Sequence, residues 1–157
     1  MNGKFLICLS LFVVLIFCNI SEAQVTEAIV GVDGFTCSLC AKGVEGQFRA
    51  LDYVKSVKAD IKKTEFTIVF KSKPEIKFSE LSDAVTDGGF TLRDILLIAK
   101  GTIKKESNSE YRLVTNNSSL ITLKGLNSKY ENGDKIMIKG KFNVSDNSVT
   151  VTSIEKL

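Results

Sequence analysis

Gly34-Phe35-Thr36-Cys37-Ser38-Leu39-Cys40 is the stretch on which the fold turns, because the hydrophobic period changes across it. Before it, Ala28-Ile29-Val30-Gly31-Val32 is a short apolar run closed by Asp33-Gly34, the pattern of a strand entering a loop. After it, Ala41, Val44, Phe48 and Leu51 recur at three- and four-residue intervals among Lys42, Glu45, Gln47 and Arg49. That spacing predicts an amphipathic helix opening at the cysteines.

Further along, Val57, Ala59 and Ile61 alternate with charged residues, and Phe66, Ile68 and Phe70 alternate with Thr67 and Val69. Two strands joined by a hairpin at Lys62-Lys63-Thr64 follow from this alternation. Beyond Lys73-Pro74, the spacing of Phe78, Leu81, Ala84 and Val85 predicts a second helix, with Ser79 as N-cap and Gly88-Gly89 as its stop. Leu92 to Ile98 reads as a closing strand. The order strand, helix, strand, strand, helix, strand is the ferredoxin-like βαββαβ arrangement, an α+β fold with two helices on one face of an antiparallel sheet.

The N-terminus reads as an export signal. Lys4 supplies a positive charge, Phe5 to Phe17 form an apolar run broken only by Ser10, and Ser21-Glu22-Ala23 places small residues for cleavage before Gln24. The run is short for a membrane span, and bulky Phe17 before Cys18 argues against a lipoprotein signal. Residues 1–23 are therefore expected to be removed, leaving a soluble extracytoplasmic (periplasmic or secreted) chain with no stable membrane insertion. Of the four cysteines, only Cys37 and Cys40 then remain, and the chain has no histidine. Three chemistries stay open: a soft-metal site, a redox pair, and a quiet structural disulfide.

These residues resemble a known family. A βαββαβ chain of this length, with Gly34-Phe35-Thr36-Cys37-Ser38-Leu39-Cys40 at the first strand-to-helix loop, is similar to the heavy-metal-associated domain of copper chaperones, copper-transporting ATPases and periplasmic mercury-binding proteins. The resemblance covers about Val25 to Ala99. It implies a non-enzymatic metal-binding protein with Cys37 and Cys40 as ligands and a metal donor or acceptor, such as a copper-transporting ATPase, as partner. Phe35 stands where the family carries methionine, and the resemblance places Phe35 and Phe90 as apolar packing near the loop, Phe90 shielding the cysteines.

The sulfur chemistry agrees. Thiolate binds metal, and a helix amino terminus favours it; Cys40, on the first turn, is expected to gain most directly. Two soft sulfurs suit Cu(I), or Hg(II), in two- or three-coordinate sites, whereas zinc wants four ligands. The resemblance points the same way, since zinc-type relatives carry Asp where this chain has Thr36. A thiol-disulfide oxidoreductase is the first alternative, yet Thr36 replaces the usual aromatic before the pair and the single proline, Pro74, reads as loop. An interaction module with an inert disulfide is the second, because exported cysteines often oxidise.

From residue 100 onward the pattern is all strand. Ile98 to Ile103, Tyr111 to Thr115, Leu120 to Leu123, Lys135 to Phe142 and Ser148 to Ile154 are short, β-branched or aromatic, and separated by polar turns. A small all-β barrel over 100–157 follows, with a weak OB-type likeness in Gly133 to Lys141. Residues 24–100 carry eleven basic and eleven acidic side chains, and 101–157 carry nine and six, so the excess is thin and no nucleic-acid partner is expected. Tyr111, Tyr130 and Phe142 are read as packing rather than a stacking platform, and Met137 as packing rather than a thioether ligand. Asn116, Asn117 and Asn143 fit N-x-Ser, which matters only in a eukaryotic secretory pathway.

Overall fold

The computed structural model describes residues 22–106, 110–127 and 129–157. Cys8, Cys18 and the expected export signal, up to residue 21, lie outside the described residues. The elements are β1 (Val25–Asp33), α1 (Ser38–Arg49), β2 (Val54–Asp60), β3 (Glu65–Phe70), α2 (Phe78–Thr86), β4 (Thr91–Lys105), β5 (Tyr111–Val114), β6 (Ile121–Lys124), β7 (Lys135–Asn143) and β8 (Ser148–Lys156).

The first six form the ferredoxin-like layer. Strand order β2-β3-β1-β4 is antiparallel throughout, with Val30 facing both Phe66 of β3 and Ile95 of β4. Ala41, Val44 and Phe48 of α1 and Phe78, Leu81, Ala84 and Val85 of α2 are buried, as their helical spacing requires. Phe48 meets Phe66 edge to face at 5.5 Å, which locks α1 onto the middle of the sheet. Two details differ from expectation. Leu51 falls beyond α1 yet still packs against the core, and Lys77 rather than Ser79 holds the N-cap position of α2, with no side-chain hydrogen bond there. At its other end the chain turns at Gly89, whose φ of +80° glycine tolerates best, and the Phe90 N–H reaches back to the Val85 carbonyl.

The expected boundary at 99/100 falls inside β4, and here the sequence reading is corrected. Leu92–Ile98 and Ile98–Ile103 are not two strands but one of 15 residues. Its alternation never loses phase: Ile95, Leu97, Ala99, Gly101 and Ile103 are all buried, with partly buried residues between them. A strand that keeps one face inward runs through one continuous core, and no linker separates the two halves. On one edge of β4, β1 pairs as far as Ala99 and β5 takes over from Thr102; on the other, β7 pairs from Ile95 to Thr102.

The remaining pairings close a ring, β4-β5-β6-β8-β7 and back to β4, with β6 and β8 parallel and the other pairs antiparallel. Glycines sit where this small ring is tightest. A Cβ on Gly101 would lie 2.6 Å from the Val114 carbonyl oxygen, and one on Gly140, at the β7–β8 bulge, would run into Val149 and Thr150. Tyr111 and Phe142 are buried at 2% and 4% exposure, and Tyr130 packs partly against the core, so these rings are packing as expected.

One buried polar side chain joins the two halves. Asn117, 1% exposed between β5 and β6, accepts from the Val25 N–H (2.7 Å) and donates to the Val25 and Lys71 carbonyls (2.9 and 3.1 Å). Its own carbonyl accepts from the Ile76 N–H (2.8 Å). A buried amide with all these partners is fully used. Phe78 of α2 packs against Phe142 of β7, the rings tilted by 42° with centroids 4.3 Å apart, and completes the joint.

Candidate functional site

Cys37 and Cys40 sit where β1 has ended and α1 begins. Gly34 turns the chain with φ +103°, a conformation a Cβ would disfavour, and Phe35 then drops into the core at 5% exposure. Phe35 packs on Phe66 (5.7 Å between centroids) and edge-on to Phe90 (5.9 Å). Two aromatic contacts thus anchor the loop from beneath while Thr36, Cys37, Ser38 and Leu39 stay exposed. Phe90 lies against Phe35 and alongside Gly34, as an apolar support of the loop.

Cys37 is the N-cap of α1, with extended backbone (φ −120°, ψ 148°), and its Sγ accepts the Cys40 N–H at 3.1 Å. The capping role usually taken by an oxygen is held here by sulfur. The helix amino terminus therefore acts most directly on Cys37, not on Cys40 as the position on the first turn suggested. A negative charge on Cys37 meets both the donated N–H and the positive end of the helix, while Cys40 is half-buried against the core. The two Cα atoms are 5.4 Å apart and the sulfurs are joined as a disulfide.

The loop is braced by an arginine that the sequence reading passed over. Arg93, at the start of β4, donates to Asp33 Oδ1 and Thr64 Oγ1 at 2.8 Å each and to the Lys63 carbonyl at 3.2 Å. The Val32 N–H also donates to the Thr64 carbonyl. One guanidinium thus ties the end of β1, the β2–β3 turn and β4 together just before the cysteines. Asp33 is engaged in that pair. Nothing in the hydrophobic pattern marks Arg93, since an exposed arginine on a strand is ordinary surface.

Leu39 was likewise not singled out. It is 78% exposed between the two cysteines, the most exposed of the large apolar side chains among the described residues. Met137 faces Lys100 on β4, nine residues from Thr91 at the loop end, so about 30 Å of strand separates it from the cysteines. Pro74, preceded by a cis peptide bond, lines a cleft with Ala50, Leu51 and Tyr53 at the far end of α1. The 12-residue helix puts it about 18 Å from the pair. Among the described residues no group of three or more Cys, Asp or Glu side chains forms a further ligand cluster. The donor set is two sulfurs, which fits a two-coordinate soft ion once the pair is reduced.

Residues 29–91 match the family model of the heavy-metal-associated domain. Two solved structures are similar to part of the chain. The yeast copper transporter domain Ccc2a, solved in apo and Cu(I)-loaded states, is 26% identical, with 43% of this chain and 92% of that one covered and a TM-score of 0.40. The CopZ metallochaperone is 22% identical, with 43% of this chain and all of that one covered and a TM-score of 0.41. No curated protein matches the chain.

Proposed function

We propose that this chain is a non-enzymatic, extracytoplasmic carrier of a soft metal ion, Cu(I) in first place, held as cargo by Cys37 and Cys40. One observation carries the reading: two sulfurs, one capping a helix amino terminus, on an exposed loop of a heavy-metal-associated domain. The Cys40 N–H donated to Cys37 Sγ and the helix dipole favour the thiolate form that a soft ion requires. Phe35 and Phe90 hold the loop against the sheet, so the sulfurs stay placed with or without cargo.

Transfer then proceeds by ligand exchange. A thiolate of the partner adds to the ion, a shared three-sulfur state forms, and one of the two cysteines lets go. Cys37 is the sulfur a partner meets first, since it is exposed while Cys40 is half-buried. The partner this implies is a protein with its own exposed cysteine pair, and a copper-transporting ATPase has that chemistry. Hg(II) satisfies the same donor set.

The test is anaerobic titration of the reduced protein with Cu(I) against a competing chelator, beside the Cys37→Ser/Cys40→Ser variant. The protein is expected to take one equivalent from the chelator and the variant none. Equal competition by both would overturn the reading.

A further inference from the structure

The sheet has a second face that the cysteine site does not use. Both helices pack against the side that carries Val30, Phe66, Ile95 and Leu97, all of them in the core. The alternate residues point the other way. Among these, Ile29, Val69, Leu96, Ile98 and Met137 are half-buried, yet they belong neither to the core nor to the side chains packed on it. They come from β1, β3, β4 and β7, and the register gathers them into a strip. Ile29 lies beside Leu96, Glu27 beside both Val69 and Ile98, and Lys100 beside Met137. We propose that this face is where two copies of the chain meet, related by a two-fold axis that lies along β4.

Charge fixes the geometry. Glu27, Ile98 and Lys139 stand in one row across β1, β4 and β7. Glu27 and Lys139 flank Ile98, and neither makes an ion pair among the described residues. A two-fold axis over β4 exchanges the flanks. Leu96 and Ile98 then meet their own copies, and each Glu27 meets Lys139 of the second copy. The row is complementary to itself, as a contact between identical surfaces requires. Lys141, on the far side of Leu96 from Ile29, lays its aliphatic stem over Ile29 of the second copy. Like charges at the two ends of the strip are relieved. Asp94 lies 3.7 Å from Arg93 Nε of its own chain, and Lys100 reaches water at the rim.

The face is also large enough. The strands from β2 through β3, β1, β4 and β7 to β8 span about 24 Å, and β4 runs about 20 Å from Asp94 to Lys100. That is on the order of 500 Å² per copy and 1,000 Å² for the pair, the smallest size at which specific contacts form. Twisted sheets packed face to face lie about 10 Å apart with strands about 30° off parallel, a gap that a glutamate and a lysine span together. Because the axis runs along the strands, the two cysteine loops emerge at the same end of the pair.

Sedimentation equilibrium of the full chain tests the pair, with Cys37→Ser/Cys40→Ser carried throughout so that neither a disulfide nor a metal can join two copies. The chain is expected to dimerise with a dissociation constant on the order of 100 μM. Glu27→Lys and Lys139→Glu each create two like-charged contacts in the dimer and should weaken it about tenfold or more. The combined Glu27→Lys/Lys139→Glu should restore it to within about threefold. Lys139→Gln removes the charge without reversing it and should weaken the dimer about threefold, a check that does not depend on how a reversed charge is tolerated. A chain that stays monomeric up to about 1 mM, single reversals without effect, or a double reversal that leaves the dimer weak would each overturn the proposal. Flotation with phosphatidylserine vesicles that is lost in Lys139→Glu, in place of self-association, would give the face to an anionic membrane and overturn it as well.

Discussion

The two ends of β1 carry the molecule's most specific polar chemistry, and they are built in opposite ways. At Val25 the strand begins under Asn117, whose side-chain oxygen and nitrogen are both engaged in a buried joint that fastens the barrel to the first half. At Asp33 the strand ends in a partly exposed brace made by Arg93, and the chain runs out to sulfurs that solvent can reach. Buried polar groups are costly to leave unpaired, so the first end concentrates stability. The second end keeps its reactive atoms accessible on a loop pinned from below by Phe35. A single strand separates reactivity from anchorage.

The sharpest way to break that division is Asn117→Leu. It strips the partner from the buried Val25 N–H and leaves the Val25 and Lys71 carbonyls short of a donor, and should cost about 3 kcal/mol in urea unfolding. Copper competition by the folded fraction should be unchanged; a matching loss of affinity would show that the two ends are coupled.

At the other end the expected effect is smaller. Phe35→Leu keeps an apolar side chain under the loop but loses the contacts with Phe66 and Phe90, at about 1 kcal/mol of stability. Affinity for Cu(I) should hold within about threefold, while release to a chelator quickens, because the ring fixes the loop and does not touch the ion. Unchanged release kinetics would remove Phe35 from the account of the site.

How much of this could be read in the sequence follows the range of the interactions. The helices and the strands of the first half are written in local period, and Ala41, Val44 and Phe48 fell on the buried face as spaced. The later strands were legible one by one for the same reason. A barrel was expected from their number, but the pairings that close it were not legible: β4–β7 and the parallel β6–β8 join residues far apart and leave no local trace. The unbroken alternation from Ile95 to Ile103 was the available sign that two strands were one.

At the site, the cysteines were legible from their loop and from the helical period after it. The direction of the helix effect was not, because it turns on which residue caps α1, and Cys37 took that place with a sulfur acceptor. Asn117 read as a turn residue because nothing local reveals that a polar loop is tucked under a strand ninety-two residues away. Leu39 offered only its oddness, a large apolar side chain at an outward position between two cysteines.

The central claim is that the sulfurs of Cys37 and Cys40 alone hold the cargo, and X-ray absorption at the copper edge of the reduced, loaded chain tests it most directly. The account predicts a first shell of two sulfurs and no nitrogen or oxygen, lost in Cys37→Ser/Cys40→Ser and untouched in Met137→Leu. A shell containing nitrogen or oxygen, or one that survives the double substitution, would contradict it.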